Sequence, residues 1–111
     1  YAPKIKKEMT RIVWNEDAKK ISAKIRAFDP FPGALSRIKG KEIKLFSSSV
    51  LREDLEGDPG RIFRIDKEGL FVEAKKGIVL IREVQVSGRR RIKVSEFIKG
   101  FPLKEGDRFD E

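Results

Sequence analysis

The run Asp29-Pro30-Phe31-Pro32-Gly33 divides this chain into two regimes of hydrophobic spacing, and no continuous helix can pass through it. Each proline lacks an amide donor and pushes the residue before it out of helical dihedrals, so a helix arriving from the N-terminal side has to stop there. Upstream, Asn15 is suited to accept a backbone N–H as N-cap, and Glu16 and Asp17 fall in the first turn, where the helix dipole favours carboxylates. Ala18, Ile21, Ile25 and Phe28 then recur at helical spacing on one face, while Lys19, Lys20, Lys24 and Arg26 occupy other positions. The pattern predicts one amphipathic helix.

Beyond Gly33 the spacing changes to short apolar runs punctuated by glycine, rich in β-branched residues and Phe, which predicts antiparallel strands joined by tight turns. Runs 34–39 and 42–50 flank Lys39-Gly40-Lys41; runs 61–66 and 70–74 flank Lys67-Glu68-Gly69; run 78–86 follows Lys75-Lys76-Gly77. Between them, Arg52 to Gly60 carries Glu53, Asp54, Glu56 and Asp58 and has the composition of a solvated loop. Near the end Ser95 is placed to cap a short helix and Gly100 to terminate it. The predicted fold is mainly β: a small barrel of the oligonucleotide-binding (OB) type with about five to six strands, one N-terminal amphipathic helix and a short C-terminal helix. Tyr1 to Arg11 shows no periodicity and reads as a basic arm, with Ile12 to Trp14 as the entry to the next element. The expected division is a linker over residues 1–14 and a domain over 15–111.

Among 111 residues there is no Cys and no His. That excludes disulfides, thiolate nucleophiles, Cys-ligated metals and the usual general base near neutral pH. Ser47, Ser48 and Ser49 therefore have no base to activate them and read as a polar strand segment. The acidic run Glu53, Asp54, Glu56 and Asp58 lacks the residue order of a calcium loop, and Gly57-Asp58-Pro59-Gly60 lacks the Gly-Lys-Ser/Thr end of a phosphate cradle. No apolar run approaches the roughly 18 residues of a membrane span, and a cytoplasmic protein without membrane contact is expected. A start at Tyr rather than Met leads us to expect an upstream domain.

Twenty-six Lys and Arg against 18 Asp and Glu leave a net charge of +8, which favours an acidic partner, nucleic acid before membrane. Its densest expression is Ser87-Gly88-Arg89-Arg90-Arg91-Ile92-Lys93, four cations in five residues behind a glycine. Guanidinium groups bind phosphate bidentately, and several together recruit a polyanion through counterion release. Lys4, Lys6, Lys7 and Arg11 on the arm are candidates to track a phosphate backbone, whereas the helix lysines read as ordinary surface. Trp14 and Phe31 are expected in the core, because large aromatics are usually buried; recognition would then rest on shape and phosphate position.

Tyr1-Ala2-Pro3-Lys4-Ile5, Arg11-Ile12-Val13-Trp14, Ile25 to Ala34 through Asp29-Pro30-Phe31-Pro32-Gly33, Pro59-Gly60, Val94 to Gly100 and Leu103 to Phe109, in this order and spacing, resemble the C-terminal domain of methionyl-tRNA formyltransferase across the whole chain. The resemblance implies a monomeric parent enzyme whose N-terminal Rossmann-like domain transfers a formyl group from 10-formyltetrahydrofolate to methionyl-initiator tRNA in translation initiation. This chain would hold no cofactor and no catalytic residue. It further implies a non-catalytic, tRNA-binding role here, with Lys4, Lys6, Lys7, Arg89, Arg90, Arg91 and Lys93 as contacts. Val13 stands where that family often has an acidic residue and Glu105 where it often has Pro. These departures leave open the alternative of a structural C-terminal domain from a related nucleotide-sugar formyltransferase, without an RNA role.

Overall fold

The computed structural model describes residues 6–110, and within them the β pattern dominates. The elements run α1 (Lys7–Thr10), α2 (Ala18–Ala27), β1 (Ala34–Ile38), β2 (Lys41–Glu56), β3 (Ile62–Asp66), β4 (Gly69–Glu73), β5 (Lys76–Val86), β6 (Ile92–Lys93) and α3 (Val94–Gly100). One antiparallel sheet of order β1-β2-β5-β4-β3 carries them, with β6 pairing β5 off that path. The sheet ladder is open, but its two edges share a cover. Phe109 bridges Ile38 of β1, and Arg108 bridges Arg61 beside β3. Backbone bonds from Ile62 to Asp107 (2.7 Å) and from Phe109 to Gly60 (2.8 Å) fasten the same segment. A barrel-like body results, its edge donors satisfied by the chain's own C-terminal stretch.

Inside lie Ile43, Leu45, Ile62, Leu70, Val72, Val79, Ile81 and Val84, and α2 closes one mouth with Ile21 and Ile25. Ser22 of α2 and Ser48 of β2 are buried and satisfy each other at 2.8 Å. Among the described residues no buried side-chain N or O lacks a partner.

Four expectations shift. The supposed arm is folded from Lys7 onward: it makes a helical turn, buries Thr10 and Ile12, and runs beside β1 through a parallel Arg11–Leu35 bridge. Trp14 is fully buried as expected, 5.2 Å from the Phe109 ring, its indole N–H donating to Ser36 Oγ at 3.0 Å. Helix α2 starts after Asp17 rather than Asn15. The carbonyls of Trp14 and Glu16 accept the Lys75 amide, and Asp17 bridges Lys76, so these residues are held by the β4–β5 turn instead of joining the helix. Strand β2 continues through Arg52 to Glu56, where a solvated loop was expected, because β5 begins early enough to pair with it as far as Lys76. Lys93, not Ser95, caps α3.

A kink midway along β2 and β5 positions everything that follows. Their register is unbroken from Ile43–Val86 to Val50–Val79, yet the buried positions that face the interior step by three rather than two: Leu45 then Ser48, and Val84 then Ile81. Ser47 adopts a left-handed φ of 53°, and Arg82 opposite it donates to Ser47 O and Ser49 Oγ. This bend puts Phe46 and Glu83 on the outer surface at one level.

Candidate nucleic-acid interface

Phe46 is 1% exposed although it lies outside the main core, and the cover is a cation. The Arg91 guanidinium sits 4.3 Å from the Phe46 ring centroid. It donates to Glu83 from Nε (3.0 Å) and Nη2 (2.7 Å), to Asp29 from Nη1 (2.8 Å), and to Ser47 Oγ (2.9 Å). The Ser47 hydroxyl in turn donates to Glu83 at 2.5 Å. That bond first, and Arg91 second, hold the Glu83 carboxyl below its ordinary range. Arg91 thus has four of its five N–H donors committed within the fold, where it ties the loop before β6 to the loop after α2.

The other cations of the basic run are placed differently. Arg89 and Arg90 are exposed, and among the described residues neither has an acidic partner within ion-pair distance. The turn presenting them is set by a positive φ at Gly88 (79°), an Arg89 N–H bond to Val86 O (2.9 Å) and a bond from Gln85 Nε2 to Arg89 O (2.8 Å). They line a shallow groove of about 260 Å³ with Lys41, Phe101 and a single carboxylate, Glu96. Lys93 faces a separate concavity of mixed charge, with Lys67 and Arg82 beside Glu68 and Glu83.

A second groove opens on the outer side of β1 and β2, lined by Lys6, Lys7, Lys44, Pro32 and Gly33. Gly33 has φ 92°, and a Cβ there would stand 2.8 Å from Lys44 Cδ, so glycine lets the loop lie against the lysine stem. Lys7 also pairs with Glu42 at 3.0 Å, and its hydrogen bond keeps that carboxyl low. Lys44 pairs in register with Gln85, whose side chain reaches Arg89. This cross-strand pair links the strand that lines the second groove to the turn that presents Arg89. Lys4 lies outside the described residues.

Phe31 corrects the expectation of core packing. It is 83% exposed, because the turn after α2 carries it outward while Pro32 and Gly33 take the contact with the sheet. Sequence reasoning missed it by treating aromatic size as burial; the flanking prolines were the available signal. The acidic run forms no metal site: Glu53 pairs with Lys19, Asp54 with Arg52 and Asp58 with Arg108, and the described residues contain no group of three potential ligands. Open, cation-lined grooves without a nucleophile or base can hold an anion and orient it.

The family model described as "Formyl transferase, C-terminal domain" matches residues 4–102. The chain belongs to that family. Among its relatives are the methionyl-tRNA formyltransferases of Geobacter sulfurreducens, 39% identical over 111 residues, and of Thermosipho africanus, 40% identical over 111 residues. The chain covers 34% and 36% of those proteins, so it corresponds to about a third of each. Among solved structures, a HypX variant from Aquifex aeolicus aligns with 94% of the chain and 19% of its own, at TM-score 0.78 and 28% identity. HypX in complex with tetrahydrofolic acid aligns with 99% of the chain and 22% of its own, at TM-score 0.78 and 25% identity. The formyl transferase C-terminal domain in hand is thus the barrel-like part that these longer proteins share, and no helix among its described residues is long and apolar enough to cross a membrane.

Proposed function

We propose that this domain binds tRNA for a methionyl-tRNA formyltransferase, orienting methionyl-initiator tRNA while an N-terminal catalytic domain performs N-formylation in the cytoplasm. The supporting observation is the presence of two basic grooves. Arg89 and Arg90 are exposed with no acidic partner among the described residues, and the second groove carries Lys6, Lys7 and Lys44. Lys93 is a further exposed cation, and Lys4, a candidate contact by the family resemblance, lies outside the described residues. Arg91 serves it by holding the loop in shape. The formyl donor, 10-formyltetrahydrofolate, would belong to the catalytic domain.

Several phosphate contacts of modest strength suit positioning, because holding a large substrate correctly converts remote binding energy into rate at the reacting centre. Fluorescence-anisotropy titration of the chain with initiator tRNA across a salt series tests the reading. Preference for tRNA over heparin is expected, with an affinity that falls steeply with salt. Arg90→Glu should weaken binding and lower the salt slope by about 0.7 to 0.9 for each phosphate that is no longer neutralised. Equal binding of both polyanions, or an Arg90→Glu variant that binds tRNA like its parent, would contradict it.

A further inference from the structure

Phe31 is the most exposed of the large hydrophobic side chains among the described residues, at 83%, and its backbone is firmly held. Pro30 and Pro32 flank it with fixed φ angles. The Gly33 N–H closes the turn on Phe28 O at 2.9 Å, and Asp29 accepts both Arg91 Nη1 at 2.8 Å and the Ser47 amide at 3.2 Å. A ring displayed from a loop anchored on both sides loses little freedom when something settles on it, which is how pre-organised contacts gain affinity. The residue after it, Pro32, is already a wall of the groove that carries Lys6, Lys7 and Lys44.

This juxtaposition selects the ligand. A flat apolar face beside a cluster of ammonium groups matches a nucleotide with a splayed base, whose phosphate sits in the groove and whose base presents its π face. An apolar protein surface would call for apolar neighbours. The other exposed large apolar side chains among the described residues are Met9 of α1 and Val13 just after it, Leu51 and Leu55 at the far end of β2, and Phe63 of β3, and none of them lines this groove.

We propose that Phe31 is a base-stacking residue, receiving an unpaired nucleobase of RNA whose neighbouring phosphates lie along Lys6, Lys7 and Lys44. The inference rests on the RNA-binding reading above and adds a contact to the base itself. Stacking of this kind tolerates any base, so it strengthens RNA binding without reading sequence.

The test compares the parent chain with Phe31→Ala, Phe31→Leu, Phe31→Tyr and Arg90→Glu, each titrated with initiator tRNA, a single-stranded RNA oligonucleotide and inorganic polyphosphate, which has the charge but no bases. Phe31→Ala and Phe31→Leu are expected to weaken both RNAs about ten-fold at fixed salt, to leave the salt slope unchanged and to bind polyphosphate like the parent. Phe31→Tyr should stay within about two-fold of the parent, since its ring still stacks. In Phe31→Trp, RNA should quench the added emission and polyphosphate should not, over a constant background from buried Trp14. RNA binding by Phe31→Ala that equals the parent, while Arg90→Glu is weakened, would overturn stacking and leave the RNA reading standing. Equal losses of RNA and polyphosphate would show a disturbed groove and overturn it too. A parent that does not prefer RNA to polyphosphate, with Arg90→Glu unaffected, would remove the RNA reading and stacking together.

Discussion

Replacing Arg91 with Met leaves an unbranched stem over Phe46 and removes the guanidinium that Asp29, Glu83 and Ser47 share. The side chains of Arg91, Asp29 and Glu83 are 31%, 22% and 32% exposed, so the cluster stands between two known limits. Removing one partner of a fully buried ion pair costs about 3 to 5 kcal/mol, and exposed pairs contribute about 0 to 1 kcal/mol. With the ring-face contribution of about 0.5 to 1 kcal/mol included, the expected loss is about 2 to 3 kcal/mol. For a domain of this size that lowers Tm by roughly 8 to 15 °C at pH 7. The pH dependence carries a definite sign. Glu83 is depressed in the folded state by the Ser47 hydroxyl and Arg91, so its stabilising contribution is complete above its ordinary value and is lost as pH falls through the depressed one. In Arg91→Met part of that depression is gone, so the parent-to-variant gap should be widest near pH 7 and narrow below about pH 4.3. Urea denaturation of both proteins between neutral and acid pH measures it. A gap under about 0.5 kcal/mol at pH 7, or one that does not change with pH, would refute the argument that these charges hold the two loops together.

Trp14→Ala should destabilise by about 3 to 5 kcal/mol from the emptied packing volume, with a further loss because the Ser36 hydroxyl keeps no indole partner; an unchanged melting curve would contradict its place in the core. Gly69→Ala should cost about 2 to 4 kcal/mol in chemical denaturation, since Gly69 has φ 148° and a Cβ would fall 2.1 Å from Ile81 O, a backbone atom that cannot swing aside. Ser48→Ala should cost about 1 to 2 kcal/mol by stranding the buried Ser22 hydroxyl, and the Ser22→Ala/Ser48→Ala pair should cost less than the sum of the single changes; additive costs would deny the pairing.

What the sequence showed plainly was local. The glycine-punctuated runs after Gly33 became β1 to β5 within a few residues, because alternating burial and tight turns are decided by neighbours a few positions apart. What it hid was decided at long range. Nothing near Arg52 says that β5 will start at Lys76 and extend β2 through an acidic stretch to Glu56. Asn15 has the chemistry of an N-cap, and only the distant Lys75 amide explains why the chain is still extended at Asp17. Residues 7–12 have no period of their own, and it is Leu35 that gives them a place on the sheet.

The basic run shows the same division at the functional surface. Arg89, Arg90 and Arg91 are identical letters in a row, and charge counting assigns them one role. The β5–β6 register sets Lys93 opposite Glu83, which brings Glu83 within reach of Arg91, while the turn after α2 delivers Asp29 from 62 positions away. Two acids then pair with one arginine, while among the described residues none lies within ion-pair distance of its two predecessors. That asymmetry is what separates a scaffold cation from exposed ones, and it joins the surfaces the sequence kept apart: the loop Arg91 anchors carries Arg89 and Arg90, and the loop it grips carries Phe31. The proposed charge recognition and base contact are therefore tied together by a residue bonded to Asp29, Glu83 and Ser47, which is why a change at Arg91 should disturb both grooves and a change at Phe31 only one.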